Sequence, residues 1–288
     1  MINNSGTLYL CATPIGNLED MTFRAVRVLK EADLIAAEDT RNSIRLLNHF
    51  DIHTPMTSYH EYNRIEKGHH LVSLLLEGKN IALITDAGTP GISDPGEDLV
   101  RMCRDAGIPV TSVPGACACV NALIISGRPT RRFCFEAFLP ADKKDRRRVL
   151  QEIQEETRTT VIYEAPHRLR KTLKELLEVL GDRRLSICRE LTKKFETVME
   201  TTLEDAVRFY GEQEPRGEYV LVLEGRSHAS IDEEERSRFE NMSVQEHVEM
   251  YEEQGLNRKD AMKQAAKDRG VSKRDIYRSL LEEDGGMK

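Results

Sequence analysis

The residues with the clearest chemical purpose are those that shape backbone around a ligand. In Asn80-Ile81-Ala82-Leu83-Ile84-Thr85-Asp86-Ala87-Gly88-Thr89-Pro90-Gly91-Ile92-Ser93-Asp94-Pro95-Gly96, an apolar run of strand length breaks into a loop with three glycines and two prolines. Glycine lets backbone approach a ligand closely, and proline holds a turn in one shape. A plain strand-to-helix connection needs neither in such number. Three further strand exits are similarly unusual: Thr13-Pro14-Ile15-Gly16-Asn17, Glu38-Asp39-Thr40-Arg41 and Pro114-Gly115. Turns of this kind at the carboxyl ends of strands build the ligand crevice of an open α/β sheet.

Several chemistries are excluded by what the loops lack. No Gly-x-x-x-x-Gly-Lys-Ser/Thr occurs, so a phosphate-loop nucleotidase is unsupported. The first strand exit is not Gly-x-Gly-x-x-Gly, which weakens a dinucleotide oxidoreductase. There is no Gly-x-Ser-x-Gly elbow and no histidine pair at metal-ligand spacing in a helix. Cys117-Ala118-Cys119 has no second cysteine pair or nearby histidine to complete a ligand set, so no metal is expected. Gly-, Pro- and small-residue turns favour an adenosine-like ligand gripped through backbone groups over a polyphosphate.

The elements that must position these turns follow from periodicity. Thr7 to Ala12, Asp33 to Ala37, Asn80 to Ile84 and Val110 to Val113 read as buried strands. Between them lie helical segments: one capped by Thr22, one opening at Thr40 or Asn42, one with Leu71, Leu74 and Leu75, and Glu97 to Asp105. Asp51 to Asn63 reads as irregular. Alternation over about 125 residues implies a mainly parallel sheet covered on both faces. Gly127-Arg128-Pro129-Thr130 reads as a boundary. Beyond it come strands Phe133–Phe138, Thr159–Tyr163, Ser186–Arg189 and Glu218–Glu224, helices from Lys144, Leu169 and Leu203, and a loop from Glu190 to Glu196. Residues 226–241 are an acidic linker around Asp232-Glu233-Glu234-Glu235. Three helices capped by Ser243, Asn257 and Ser272 then form a helix-turn-helix-like module. The expected organisation is α/β: two consecutive α/β domains, 1–126 and 127–225, with a ligand cleft between them, plus a helical module at 242–288.

Composition sets outer limits. The 288 residues are 39% hydrophobic and 32% charged, with a net charge of −7. That is a globular balance with no apolar run near the roughly 20 residues a membrane helix needs. Met1 to Gly6 lack the regions of a signal peptide. Six scattered cysteines suit reduced thiols and a cytoplasmic setting. Two stretches oppose the overall acidity. Arg128–Arg148 and Arg258–Arg278 each hold eight basic and three acidic residues, as phosphate-facing segments do. The residues proposed to meet RNA are Arg128, Arg131, Arg132, Arg146, Arg147, Arg148, Lys273 and Arg274.

Six motifs in order now carry a resemblance: Ala12-Thr13-Pro14-Ile15-Gly16-Asn17-Leu18-Glu19-Asp20, Ala37-Glu38-Asp39-Thr40-Arg41, Thr85 to Gly96, Val113-Pro114-Gly115-Ala116, Tyr163-Glu164-Ala165-Pro166-His167-Arg168, and Arg189-Glu190-Leu191-Thr192-Lys193-Lys194-Phe195-Glu196. Across about residues 7–225 the chain resembles the tetrapyrrole methylase superfamily, in its branch of small-subunit ribosomal RNA cytidine 2′-O-methyltransferases. The resemblance implies S-adenosyl-L-methionine as cofactor, small-subunit ribosomal RNA or the assembled subunit as partner, and a homodimer. It places the cofactor against Ile15, Gly88, Thr89, Ile92, Cys117, Ala118, Tyr163, Glu164, Leu191, Gly217 and Glu218. Candidates to activate a ribose hydroxyl are Asp39, Asp86, Glu190 and Lys193; Asp86 and Asp94 are read chiefly as braces of their own loop. Two alternatives remain: methylation of a small tetrapyrrole-like molecule, and a ligand-sensing nucleic-acid-binding regulator.

Overall fold

A computed structural model describes residues 5–227, 229–231, 237, 239 and 242–285. The first sheet holds β1 (Leu8–Cys11), β2 (Leu34–Ala37), β3 (Met56–Ser58), β4 (Ile81–Ile84) and β5 (Val110–Val113) in the order β3-β2-β4-β1-β5. Every pairing is parallel, so all five strands exit at one edge. β4 is buried at all four positions and alternates between two cores. Ile81 and Leu83 pack with Leu8, Leu71, Leu75 and Leu99 on one face. Ala82 and Ile84 pack with Leu29, Ile35 and Leu47 on the other. The covering helices are α1 (Phe23–Glu31), α2 (Thr40–His49), α3 (Arg64–Leu76) and α4 (Gly96–Asp105). Thr22 caps α1 through the Ala25 amide, as its residue type predicts.

The second sheet is mixed: β6 (Phe133–Phe138), β7 (Thr159–Glu164), β8 (Arg184–Arg189), β9 (Thr197–Thr202) and β10 (Tyr219–Leu223), ordered β6-β7-β10-β8-β9. Only β6 and β7 are parallel; the remaining pairs are antiparallel. Helix α5 (Ala118–Ile125) contributes Cys119, Ala122 and Leu123 to a cluster with Val161, Cys188, Val220 and Val222 of this sheet and Ile15 and Leu191 of the loops. On the opposite face Ile162, Leu221 and Leu223 meet α6 (Lys143–Glu155), α7 (Pro166–Leu180) and α8 (Leu203–Glu212). This packing accounts for one side of the apolar α5, while Val120, Ile124 and Ile125 stay exposed.

The sequence reading omits two strands, and both lie at sheet edges. β3 has three residues, none fully buried, inside the stretch read as irregular. β9 is Thr-Val-Met-Glu-Thr-Thr, paired only with β8, and its polar residues conceal the alternation.

Residues 1–154 with 158–224 form one compact unit, and residues 155–157 with 225–288 a second. The second contains α9 (Val244–Glu253), α10 (Arg258–Asp268) and α11 (Lys273–Gly285). Ser243 and Glu246 close a reciprocal capping box, and Asn257 caps α10. Val248, Ala261, Ala265, Ile276 and Leu280 make a core of small and aliphatic side chains. The acidic run Asp232 to Glu235 lies outside the described residues. Among the described residues no helix is long and apolar enough to cross a membrane.

Candidate functional site

The exits of β1 and β4 are tied together. The Thr13 amide donates to the Gly88 carbonyl at 2.9 Å and the Gly88 amide to the Thr13 carbonyl at 3.1 Å. Gly88 sits at φ +84°, and a Cβ there would stand 3.2 Å from Ile15 Cγ2 and 3.4 Å from the Ala116 carbonyl oxygen. The glycine is required by conformation and by crowding. The rest of the loop is braced from within. The Asp94 carboxylate accepts from the amides of Gly91, Ile92 and Gly96 at 2.8–3.1 Å. The Thr89 hydroxyl donates to the Ala116 carbonyl at 2.9 Å, joining this loop to the β5 exit. Asp86 accepts from the Asp39 amide at 3.1 Å, and burial beside Glu38 raises its carboxyl above the usual range.

From the second sheet, the Tyr163 hydroxyl accepts the Cys119 amide at 2.9 Å, and its ring meets Phe135 and Phe138 edge-on. Glu164 is 2% exposed. Its carboxylate is directed onto α7, accepting from the Ala165 amide at 2.8 Å and from the Thr172 hydroxyl, with Arg168 at 3.5 Å. Pro166 then starts α7, where a missing amide costs nothing. At the β8 exit, Glu190 lies at φ +51° and its carboxylate accepts from the Glu218 amide at 2.9 Å. The Lys193 ammonium donates to Glu190 at 2.9 Å and to Glu218 at 2.8 Å.

These exits enclose a cavity of about 460 Å³, within the size range of small-ligand sites. Of the residues expected at the cofactor, Ile15, Gly88, Thr89, Ile92, Cys117, Ala118, Tyr163, Glu164, Leu191 and Glu218 line it. Gly217 does not. Its φ of +81° and the 2.5 Å from a Cβ to Glu190 Cγ show that it makes room for the Glu190 side chain. Sequence reasoning did not select Glu38, Phe138 or Tyr219, which also line the cavity. Glu38 stands directly after β2 in a quoted motif, and it accepts the Thr85 hydroxyl at 2.5 Å. Five of the lining residues are acidic (Glu38, Asp86, Asp94, Glu164 and Glu218), Glu164 lying beside Arg168 and Glu218 paired with Lys193, and no lysine, arginine or histidine is among the described lining residues.

Three candidate bases are corrected by this geometry. Asp39 is the N-cap of α2, accepting from the Arg41 amide at 2.8 Å and pairing with its guanidinium at 2.9 Å. The Arg41 side chain, then its amide, hold the Asp39 carboxyl down to about 2. A depressed folded-state pKa means stabilisation that is present above the unfolded value near 3.9 and lost as pH falls through about 2. Asp39→Asn is expected to flatten that acid limb, read as the urea midpoint against pH. An unchanged limb would refute the cap's role. Lys193 and Glu190 are braces. Burial opposes the Lys193 charge, but Glu218 and Glu190 hold its pKa above the usual range. Burial likewise opposes ionisation of Glu190, and the Glu218 amide and Lys193 outweigh it. A lysine so held is a cation that braces two carboxylates.

Two expected RNA contacts are also corrected. Arg146 is 5% exposed. It donates to Glu175 at 2.7 Å, to the Thr172 hydroxyl at 2.7 Å and to the Pro140 carbonyl at 3.5 Å. The Arg128 side chain is mostly covered and paired with Glu200 and Glu224. Arg131, Arg132, Arg147, Arg148 and Arg274 are exposed, and Lys273 is half-buried.

The model for the family Tetrapyrrole (Corrin/Porphyrin) Methylases matches residues 7–207. The chain is 53% identical to "Ribosomal RNA small subunit methyltransferase I" of Halalkalibacterium halodurans, over 96% of this chain and 94% of that one. It is 43% identical to the protein of the same name from Escherichia coli O157:H7, over 98% and 97%. Among solved structures it is similar to uroporphyrin-III C-methyltransferase from Thermus thermophilus complexed with S-adenyl homocysteine. The TM-score is 0.53 and the identity 20%, covering 76% of this chain and 92% of that one, a likeness of fold.

Proposed function

Because the chain belongs to the tetrapyrrole (corrin/porphyrin) methylase family, we infer that it methylates small-subunit ribosomal RNA on the ribose 2′-oxygen of a cytidine, using S-adenosyl-L-methionine. The observation that carries the cofactor assignment is the charge of the cavity wall. Glu38, Asp86 and Asp94 line it with no ion-pair partner among the described residues, an arrangement that disfavours a polyphosphate and suits a ligand bearing a sulfonium and an ammonium. Relatives that match over nearly their whole length are named for ribosomal RNA, whereas the tetrapyrrole enzyme shares the fold alone. The RNA reading is therefore preferred to a tetrapyrrole substrate.

When bound, S-adenosylmethionine supplies an electrophilic methyl carbon. The chain's own contribution is to seat, orient and exclude water. Gly88 and Thr89 would hold the cofactor through backbone on one wall, with Ile15, Ala118 and Leu191 as its apolar cover. Glu164 would contribute backbone, since its carboxylate is committed to Thr172 and Arg168. Lys193 and Glu190 fix the turn that carries Glu218. Alignment of the ribose hydroxyl with the S–CH₃ bond would supply much of the acceleration.

Exposed Arg131, Arg132, Arg147 and Arg148, with the basic face of the helical tail, supply salt-dependent RNA affinity. The resemblance further gives a homodimer acting in the cytoplasm. The deciding experiment is tritiated-methyl transfer to ribosomal RNA and to assembled small subunits from a strain lacking this protein, with nucleoside mapping. Label in 2′-O-methylcytidine is expected; unlabelled RNA and subunits would overturn the assignment. Deleting residues 241–288 is expected to lower RNA methylation on the order of tenfold at moderate salt. S-adenosylhomocysteine binding should stay within about twofold, as the cavity lining ends at Val220. Equal loss of both would sink the docking role.

A further inference from the structure

We propose that Cys117 and Cys119 are a peroxide-reactive dithiol, in which Cys117 is the attacking thiol and Cys119 resolves it to a disulfide that closes the cofactor cavity. The two sulfurs stand 3.4 Å apart. Cys117 is half-buried and lines the cavity, which gives a small oxidant a route to it. It is the N-cap of α5, so its sulfur meets the amide end of that helix. Cys119 is the second residue of that helix and is buried, with its amide fixed to the Tyr163 hydroxyl. The other buried thiols, Cys11, Cys103 and Cys188, are pushed up by burial, the ordinary state of a structural cysteine. Cys117 departs from them. The Cys119 thiol, and the Val120 and Cys119 amides at the start of α5, hold it down to about 6 against the opposing effect of burial.

The chemistry balances with a hydroperoxide as oxidant. The Cys117 thiolate attacks the peroxide, the O–O bond breaks, an S–O bond forms and hydroxide leaves to become water. Sulfur is oxidised by two electrons to a sulfenic acid. The Cys117 hydrogen bond raises Cys119 most, followed by burial and then the Cys117 charge, so forming the sulfenic acid removes the thiolate's share of that restraint. Cys119 sulfur then attacks Cys117 sulfur, the S–S bond forms, the S–O bond breaks, and a second water carries away the oxygen with the Cys119 proton. The sulfurs must close from 3.4 Å to about 2.05 Å, which shifts Cys117 on the cavity wall. A bridge made by such a shift is the kind that thiols readily reduce.

The test treats the full-length reduced protein with hydrogen peroxide and maps peptides by mass. The peptide holding both cysteines should lose two hydrogens, at least ten times faster than half-buried Cys134 is oxidised. Dithiothreitol should restore it. In C119S, a dimedone adduct should accumulate at Cys117 instead. Oxidation of Cys117 at the rate of Cys134, or a wild-type product other than the 117–119 disulfide, would overturn the dithiol. Closure of the cavity rests on the methyl-donor reading and is measured separately. S-adenosylhomocysteine should bind the reduced protein and bind the disulfide form at least tenfold more weakly. Equal binding by both forms would overturn the closure; a reduced protein that fails to bind would count against the donor reading and leave the mass result standing.

Discussion

Arg146→Ala is expected to destabilise the first unit by about 3–5 kcal/mol, the cost of breaking a buried ion pair from one side. The guanidinium is the centre of a network that ties α6 to α7 and, through Thr172, to Glu164 at the end of β7. Removing it leaves Glu175 with only the longer Lys171 contact at 3.7 Å and the Thr172–Glu164 pair with only Arg168 at 3.5 Å. For a unit of this size the melting temperature should fall by roughly 10 °C. Arg147→Ala and Arg148→Ala lie one and two positions along and are exposed. Each should cost no more than about 0.5 kcal/mol. Together they should instead weaken RNA binding most visibly at moderate salt. Calorimetry and a salt series on the same three variants separate the roles. A stable Arg146→Ala protein would refute the network's importance, and salt-independent binding by the double variant would refute the phosphate contacts.

The second large effect is expected at Gly88. An alanine there must adopt φ near +84° and place a methyl 3.2 Å from Ile15 and 3.4 Å from the Ala116 carbonyl, both at the cavity wall. Gly91 has the same φ of +84° with nothing within 4 Å of the added Cβ. Gly91→Ala therefore measures backbone strain alone, about 1–2 kcal/mol. Gly88→Ala adds displacement of the wall. It should weaken S-adenosylhomocysteine binding by roughly thirtyfold, about 2 kcal/mol, while Gly91→Ala changes binding by less than about threefold. Matched losses in isothermal titration would show that strain, and not the position of Gly88, governs the site.

Much of this site was legible because its walls are strand exits, where glycine and proline mark backbone that must turn or approach closely. Gly88 is the best instance, since no other residue type tolerates both its φ and its neighbours. The edge strands were not legible: Met56–Ser58 is too short for a period, and Thr197–Thr202 is polar on both faces. Arg146 was misread although a signal existed. In the Arg-Arg-Arg run, only Arg146 falls four and seven residues before Leu150 and Ile153, on the buried stripe of α6. Charge counting over the run hides that face. For Gly217 the glycine was noticed and its reason mistaken, because the side chain it accommodates, Glu190, is 27 residues away in sequence.

Glu38, Asp86 and Asp94, which line the cavity without an ion-pair partner among the described residues, have a consequence for turnover. They form a wall that reads the charge of whatever it holds. Before transfer the occupant carries a sulfonium; afterwards its sulfur is a neutral thioether. The same wall therefore holds the product less strongly than the donor, by an electrostatic difference that appears only once the methyl has left. Release of the spent cofactor would thus be favoured by the lining itself.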